Sequence, residues 1–482
     1  MNRLALFTLL TTLPGSLTAQ AYDADRLFAL EQLREDFSVL RESLEQGHAG
    51  LYRYSDKPAI DRLLDVSASE ITGPMTELEF LRLLAPVVAG ANDGHTGLSP
   101  SPLLVEYFQA QPLLFPFKLR FLAGKAYVYR DYTSDQSLVL GGELTHINGR
   151  PIDEIVAALL PMMTSDGRIE TSKYKRLERE TAFGALYSAL YGLTTEFTIT
   201  YRPGGTEQTV TVGGLSGTDL VARLRTRYPE DLVTKPPIEL SWRDDVPVLT
   251  VRTFGAGAYR QTRIDYEAFL QTVFSEFGRR SADNLVIDVR NNGGGSDEYG
   301  SLLAAHLLSN EFEYYESLRV NSDSFNFLRY TPMSNDDLPR DRLRPNEEGT
   351  YDLLGHSNLD TQQPQSPTFT GNVYILINGG SFSATGEFTS AVNHNRDVIF
   401  VGEESGAGYY GNTSGMMTAV TLPHTRLQVR LPMVRYTMAV SGYSPTDRGM
   451  IPDHEVIPTI DDVLAGRDTE MEFVLELIGK GR

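Results

Sequence analysis

The chain contains 482 residues, of which 41% are hydrophobic and 22% charged, and this length is too great for a single compact core. The absence of cysteine excludes disulfides, thiolate metal sites and a cysteine nucleophile. A net charge of -20 disfavours nucleic acid and anionic membranes as partners, because no basic run offsets it.

The first predicted element is a cleaved secretory signal over residues 1–21. It begins with the basic Arg3, continues with an apolar stretch from Leu4 and ends in the small-residue exit Ala19-Gln20-Ala21. The stretch is shorter than the roughly 20 residues that span a bilayer, and Pro14 interrupts it. We therefore expect a mature protein that is periplasmic or extracellular and not inserted in a membrane.

Three regions with different apolar periodicity follow the signal. Residues 22–105 place apolar side chains at helical spacing, which predicts a helical N-terminal domain. Residues 106–225 show short alternating runs and a Pro-Gly-Gly turn, which indicates a mostly β domain. Residues 226–482 alternate strand-like and helix-like runs, which predicts an α/β domain with a largely parallel sheet. Within it, residues 310–371 are rich in Asn, Asp, Pro and Ser and are interpreted as a long surface excursion.

One strand-turn-helix segment in the third region, "VYILINGGSFSATGEF", presents two serines where a helix begins. Ser383 lies where backbone N–H groups favour negative charge, so it is a candidate nucleophile. The same position suits an ordinary helix N-cap, which serine strongly favours. The segment lacks the G-x-S-x-G pattern of the α/β-hydrolases, because Thr385 occupies the last glycine position.

A second strand-turn-helix segment, "NLVIDVRNNGGGSDEYG", carries three glycines at positions 293–295. Their backbone N–H groups could approach a ligand atom and form an oxyanion hole. The alternative is a tight turn with a helix N-cap at Ser296 or Asp297. The segment has neither the G-x-G-x-x-G pattern nor a Walker lysine, so no nucleotide cofactor is expected.

A nucleophilic serine needs a base, and two of the eight histidines are in suitable positions. His95 lies in the Gly-flanked turn "GANDGHTGLSP" directly after a helical stretch, where a loop can present a polar group. His454 in "IPDHEV" is the alternative. H-E-x-x-H is absent and no metal-ligand spacing is evident, so neither a metalloprotease nor a bound metal is predicted.

Four motifs in this order, "DGHTGL", "VIDVRNNGGGS", "INGGSFSATGEF" and "DRGMIPDHEV", resemble the tail-specific or C-terminal-processing serine peptidases, and in particular their tricorn-core-like branch. The resemblance covers most of the chain after the signal. It implies that residues 106–225 form a PDZ-like domain, in which "LVLGGELTHINGRPIDEIVAALL" supplies the ligand groove. It also implies that residues 226–482 form a crotonase- and ClpP-like spiral α/β catalytic domain.

Transferred position by position, the resemblance makes Ser383 the nucleophile and Ser381 a structural turn residue. It assigns the oxyanion hole to the amide of Ala384 together with glycines of the 293–295 run, of which Gly294 and Gly295 are the predicted donors.

The processing-peptidase branch uses a lysine as base, but here Gly408 occupies that position and no lysine lies between Ser383 and Lys480. The tricorn-like branch uses a histidine of the "DGH" turn, which matches His95, and an acid near the C-terminal motif. Thr446 falls on the position of that acid, so Asp447 is the predicted third member. Glu403 and Glu404 are the alternatives.

The predicted function is therefore a secreted serine endopeptidase that acts on unstructured or C-terminal peptide segments through a Ser-His-acid mechanism. Two alternatives stay open at this point. The first is a catalytically inactive protein that binds peptide or lipid on the same fold. The second is an esterase or amidase with the same triad. The sequence defines neither the cleavage specificity nor the oligomeric state.

Overall fold

The computed structural model describes residues 22–136 and 138–480. The predicted secretory signal over residues 1–21 lies outside the described residues. The strands are β1 (Gly97–Ser99), β2 (Phe117–Leu122), β3 (Lys125–Asp131), β4 (Glu143–Ile147), β5 (Arg150–Pro151), β6 (Glu196–Arg202), β7 (Gln208–Gly213), β8 (Ile238–Arg243), β9 (Val246–Val251), β10 (Asn284–Asp288), β11 (Tyr315–Val320), β12 (Leu343–Pro345), β13 (Tyr351–Leu353), β14 (Asn372–Ile377), β15 (Ile399–Gly402), β16 (Thr413–Ser414), β17 (Thr418–Thr421), β18 (Gln428–Leu431), β19 (Val434–Met438) and β20 (His454–Glu455). The α-helices are α1 (Leu30–Gly47), α2 (Lys57–Ser69), α3 (Glu77–Ala89), α4 (Pro102–Ala110), α5 (Ile152–Leu159), α6 (Thr171–Leu177), α7 (Ala182–Tyr191), α8 (Gly217–Arg227), α9 (Ala256–Thr262), α10 (Tyr266–Arg279), α11 (Asp297–Ala305), α12 (Ala384–Asn395), α13 (Ile460–Ala465) and α14 (Thr469–Lys480).

The N-terminal region consists of helices α1 to α4 with defined starting residues. Asp56, Thr76 and Ser101 accept hydrogen bonds from backbone N–H groups three residues further on and so cap α2, α3 and α4. The short strand β1 leaves this region and pairs antiparallel with β18. The N-terminal helices are thereby attached to the C-terminal part of the chain.

The middle region contains an antiparallel sheet with the order β2-β3-β4-β6-β7, and β5 pairs with β4. Helix α5 follows the β4–β5 hairpin directly, and α6 and α7 precede β6. The PDZ-like assignment of residues 106–225 stays a prediction, as do the domain boundaries.

The largest sheet of the C-terminal region has the order β20-β15-β14-β10-β9-β8. All its neighbouring strands are parallel except β8 and β9. Apolar side chains cover both faces, and α14 covers one of them with Met471, Val474 and Ile478. Burial on both faces explains why these strands read as continuous apolar runs. The mixed α/β architecture that the sequence predicts is confirmed.

Residues 310–371 differ from a plain surface excursion. Strands β11, β12 and β13 lie in this segment and join β19 and β16 in an antiparallel sheet with the order β12-β13-β11-β19-β16. Phe325, Phe327 and Leu328 of the segment are almost completely buried. Strands of three residues are too short to show alternation, so the composition indicates loop where the chain forms a sheet.

No helix within residues 22–136 and 138–480 is long and apolar enough to cross a bilayer.

Candidate active site

Ser383 lies between strand β14 and helix α12, in a strained backbone conformation. Its φ of 59° and ψ of -129° are unusual for a residue with a side chain. Its side chain makes no capping hydrogen bond to α12. The Oγ atom instead lies 3.0 Å from Nε2 of His95. The geometry is that of a serine presented to a base, and not that of a helix cap.

Ser381 has a different environment from Ser383. Its hydroxyl donates to the carbonyl of Val289 at 2.8 Å and accepts from the amide of Asn378 at 3.1 Å. The side chain is completely buried. Ser381 therefore ties the turn after β14 to the end of β10, which agrees with the structural part predicted for it.

His95 lies in the turn after α3, and its ring packs against Phe382, with 4.5 Å between the ring centroids. Burial lowers its pKa to about 4 and outweighs the opposing effect of the Asp93 charge, while the charge of Arg430 lowers the pKa further. The imidazole is thus neutral at ordinary pH and can accept a proton from Ser383. Its Nδ1 atom is buried and has no hydrogen-bond partner among the described residues.

The structure does not bring any of the three predicted acids to His95. Asp447 pairs with the guanidinium of Arg168, which donates to both carboxylate oxygens. Glu404 accepts from Nε of Arg448 at 2.7 Å and from the amide of Gly449 at 3.0 Å. Glu403 forms an ion pair with Lys175 at 3.2 Å. Each carboxylate is thus held by a cation of its own, which corrects the assignment of Asp447 as the partner of His95.

Two other carboxylates, Asp93 and Asp166, lie beside His95. One ligand atom from each of the three side chains lies within 4.8 Å of the others. Asp93 Oδ1 accepts from the amides of His95 and Thr96 at 2.9 and 3.0 Å. Asp166 accepts from the amide of Gly94 at 2.7 Å and from that of Gly408 at 2.9 Å. Because backbone donors occupy these oxygens, the set forms a hydrogen-bonded turn and offers little to a cation.

Asp93 and Asp166 are both buried, but their carboxylates differ in protonation. Burial and the neighbouring charge of Asp93 raise the pKa of Asp166 to about 7. Burial also opposes ionisation of Asp93, but the nearby His48 and His95 lower its pKa. Asp93 is therefore the ionised member of the pair. The sequence could have indicated Asp93, because it lies two residues before His95. Asp166 lies in another region of the chain, and no sequence pattern links it to His95.

The glycine run approaches Ser383 closely. A Cβ atom on Gly294 would lie 2.8 Å from Cβ of Ser383 and 2.9 Å from the amide nitrogen of Ala384. The Gly294 amide, however, donates to Oδ1 of Asn292 at 3.0 Å and is not available to an oxyanion. This corrects the choice of Gly294 as a donor. The amides of Gly293, Gly295 and Ala384 have no partner within the described ranges, and all three residues line the cavity at Ser383.

Ser383 and His95 open into a cavity of about 830 Å³ that two groups of charged side chains line. Residues from all three regions of the chain contribute to it. The cationic group consists of Lys175, Arg176, Arg179 and Arg430. The acidic group consists of Asp297 and Glu387, together with His356.

The acidic group forms a hydrogen-bonded network around Tyr315. The Oη atom of Tyr315 lies 2.8 Å from a carboxylate oxygen of Asp297 and 2.8 Å from one of Glu387. Burial and the charge of Asp297 raise the pKa of Glu387 to about 7. The Tyr315 hydroxyl has one proton and can donate to only one of the two carboxylates. Both contacts are hydrogen bonds when protonated Glu387 donates to Tyr315 and Tyr315 donates to Asp297. The network then holds one negative charge, which faces His356 at 3.1 Å.

A strained serine at the start of a helix, a neutral histidine at hydrogen-bond distance and free backbone amides beside both define a serine hydrolase. Residues 245–456 match the model of peptidase family S41. This segment belongs to that family, and the protein is a serine-type peptidase.

Two solved structures of mature CPAF share the fold at low sequence identity, and a further structure is similar at a lower TM-score. Mature CPAF is 16% identical with a TM-score of 0.59, and the alignment covers 90% of this chain and 94% of that one. Mature CPAF complexed with lactacystin is also 16% identical with a TM-score of 0.59, over 93% of this chain and 97% of that one. The photosystem II D1 C-terminal processing protease is 13% identical with a TM-score of 0.41, over 91% and 98%. No curated protein matches the chain in sequence.

Proposed function

We propose that the protein is an endopeptidase in which Ser383 is the nucleophile and His95 the general base. The distance of 3.0 Å between Ser383 Oγ and His95 Nε2 carries the proposal. The serine and the histidine come from different regions of the chain, and each lies in a turn that is fixed by buried hydrogen bonds. Such preorganisation is expected of reacting groups and is not needed in a binding protein.

The chemistry follows from these positions. His95 Nε2 takes the Oγ proton while Ser383 Oγ forms a bond to the substrate carbonyl carbon. The amide of Ala384 and that of Gly293 or Gly295 donate to the oxyanion that results. The imidazolium returns its proton to the departing amine as the C–N bond breaks, which leaves an acyl group on Ser383. Water then repeats the sequence and releases the acid.

The ionised Asp93 stabilises the imidazolium through its charge. Its carboxylate is fixed by backbone amides beside the His95 ring. The neighbouring Asp166 holds the Gly94 amide of the same turn, so it positions His95 and makes no contact with substrate. An Asp93→Asn variant would keep an oxygen for the His95 and Thr96 amides, lose the acceptor of the Thr413 amide and remove the charge. We expect it to be slower than the wild type in forming the acyl-enzyme.

The substrate is a peptide or an unfolded polypeptide segment, which binds in the cavity at Ser383. Recognition of a chain terminus by strand addition in residues 106–225 is part of this proposal. We also propose that residues 1–21 direct the protein to the periplasm or the cell exterior. Sequencing of the secreted protein should find Tyr22 as its first residue.

A fluorophosphonate probe tests the proposal on the chain of residues 22–482. We expect labelling at Ser383, identified by peptide mass spectrometry, and its loss in Ser383→Ala and in His95→Ala. Ser414→Ala is the matched control, because Ser414 lines the same cavity without contact to a histidine. Labelling should survive in that variant, since only the hydroxyl beside a base is activated.

The outcomes separate the three functions. No labelling of folded protein would favour a catalytically inactive protein that binds peptide or lipid. Labelling with turnover of a small ester but not of unfolded casein would favour an esterase or amidase. Casein cleavage that falls by about 10³-fold or more in Ser383→Ala supports the endopeptidase.

A further inference from the structure

Three of the arginines that line the cavity form no ion pair within the described residues. Arg176 belongs to α6, Arg179 follows two residues after the end of α6, and Arg430 belongs to β18. We call these three residues the arginine cluster. None of them forms an ion pair with a carboxylate of the described residues. By contrast, the nearby Lys175 pairs with Glu178 at 3.7 Å and with Glu403 at 3.2 Å.

The arginine cluster is attached to both catalytic segments. Helix α6 begins directly on the turn before Ser383, because a Cβ atom on Gly379 would lie 2.3 Å from the carbonyl of Thr171. Arg430 pairs with Gly97 across strands β18 and β1 and donates to the carbonyl of Gly94 at 3.2 Å. A group bound by the cluster would therefore lie in the same cavity as the reacting serine and histidine.

Nearby carboxylates offset the charge of the cluster only in part: Asp166 acts on Arg176, Glu180 on Arg179 and Asp93 on Arg430, yet the pKa of each arginine is lowered. Arg179 and Arg430 are exposed to the cavity, whereas Nε and Nη2 of Arg176 are buried without a partner. Burial lowers the pKa of Arg176 to about 10, and the like charges of Arg179 and Arg430 lower it further. Unpaired buried donors and mutual repulsion both cost stability, and an anion at the cluster would relieve both.

We propose that the arginine cluster binds a carboxylate of the substrate, namely an acidic side chain close to the bond that is cleaved. The proposal rests on the proposed peptidase function. A guanidinium presents donors in the geometry that a carboxylate accepts. The charge of Asp297, which also lines the cavity, repels the same group. The arginine cluster and Asp297 together favour an acidic residue beside the arginines.

A binding experiment tests the proposal without requiring turnover. The inert Ser383→Ala protein is immobilised and exposed to a synthetic mixture of random heptapeptides with acetylated and amidated ends. We expect the retained peptides to be enriched about tenfold or more in Asp or Glu at one position. Adding Arg179→Gln should abolish the enrichment, and this exposed side chain can be exchanged without disturbing a hydrogen bond of the described residues.

The matched control is Arg62→Gln, which removes the same charge from the exposed face of α2, away from the cavity. It should keep the enrichment. If Arg62→Gln loses the enrichment as fully as Arg179→Gln, the effect is one of net charge and the proposal is overturned. Retained peptides without acidic enrichment, or no retention at all, overturn it as well.

A second mixture with free C-termini distinguishes the source of the carboxylate. Retention of these peptides without preference for Asp or Glu would assign the cluster to the α-carboxylate of a chain end and overturn the side-chain proposal. Failure of the peptidase function has a separate readout, because it appears as missing fluorophosphonate labelling in the protein with Ser383 intact.

Discussion

The imidazole of His95 owes its proposed part as a base to what surrounds its ring. It is buried against Phe382, its Nε2 faces Ser383, and Asp93 and Arg430 act on it with opposite charges. Burial is the largest of these effects and keeps the ring neutral down to a pH of about 4. An unperturbed histidine, with a pKa of about 6.5, would already lose its basic nitrogen in mildly acidic solution.

The pH dependence of serine reactivity follows from this pKa. Protonation occupies Nε2, so the rate of fluorophosphonate inactivation should fall as the pH falls through about 4. Arg430→Gln removes a like charge, raises the pKa of His95 and should move the midpoint to higher pH. Arg62→Gln is the control and should leave the midpoint unchanged. A midpoint at or above that of free histidine would show that the ring is not shielded by burial.

Single residues also show what the sequence could and could not predict. Ser383 and His95 were predicted because each lies in a short Gly-rich turn with a recognisable pattern, and the structure brings their side chains together. Asp447 was predicted as the partner acid, but it pairs with Arg168, which lies 279 residues earlier in the chain. No local pattern reveals such a pairing. The direction of the Gly294 amide likewise depends on the side chain of Asn292.

At the scale of elements, two strand-turn-helix segments meet at Ser383. The turn after β10 runs against the turn after β14, and the helices that follow them, α11 and α12, pack against each other. Gly294 is at the closest point, with a φ of 89° that a side chain rarely adopts. The short contact leaves no room for a Cβ atom.

Gly294→Ala should therefore slow fluorophosphonate labelling by about 100-fold, because a Cβ atom 2.7 Å from the Phe382 carbonyl displaces Ser383. Gly149→Ala is a matched control. Its φ is 76°, but nothing lies within 4 Å of the added atom, so it carries only the backbone cost of about 1 kcal/mol. Equal labelling rates in the two variants would contradict the close approach. Thermal unfolding of both proteins checks that they are folded.

Element types were predictable where apolar periodicity is long, as in α1, α3 and α10. The sheet around β11 was not, because its shortest strands have three residues and a polar composition. The short strands β12 and β13 pair with each other, and β13 also pairs with β11. Strand β11 in turn pairs with β19, which lies more than 100 residues later in the chain. Long-range pairing of this kind overrides local propensity.

At the scale of the whole molecule, helix α1 is attached to the C-terminal region through one buried carboxylate. Asp36 accepts from the amides of His424 and Thr425 at 2.9 and 2.8 Å and from the Thr425 hydroxyl at 2.6 Å. Its side chain is completely buried. This attachment joins α1 to the turn between β17 and β18, and β18 also pairs with β1, which follows His95.

Asp36→Ala should lower the free energy of unfolding by about 2 to 4 kcal/mol, because it leaves buried donors without an acceptor. We expect a matching loss of Ser383 labelling at intermediate urea concentrations. Glu31→Ala, on the exposed side of the same helix, should change the stability by less than about 0.5 kcal/mol. Urea unfolding followed by circular dichroism measures both. Identical midpoints would show that the attachment contributes nothing.

A separation of 288 positions in the chain also separates His95 and Ser383, the two proposed reacting groups, in time. At a synthesis rate of about 5–20 residues per second, Ser383 is added roughly 15 to 60 seconds after His95. A growing chain therefore carries a histidine with nothing to activate during that interval. Under the proposed mechanism, hydrolytic activity arises only when both segments have been made and have docked, so an unfinished chain does not cleave itself or its neighbours.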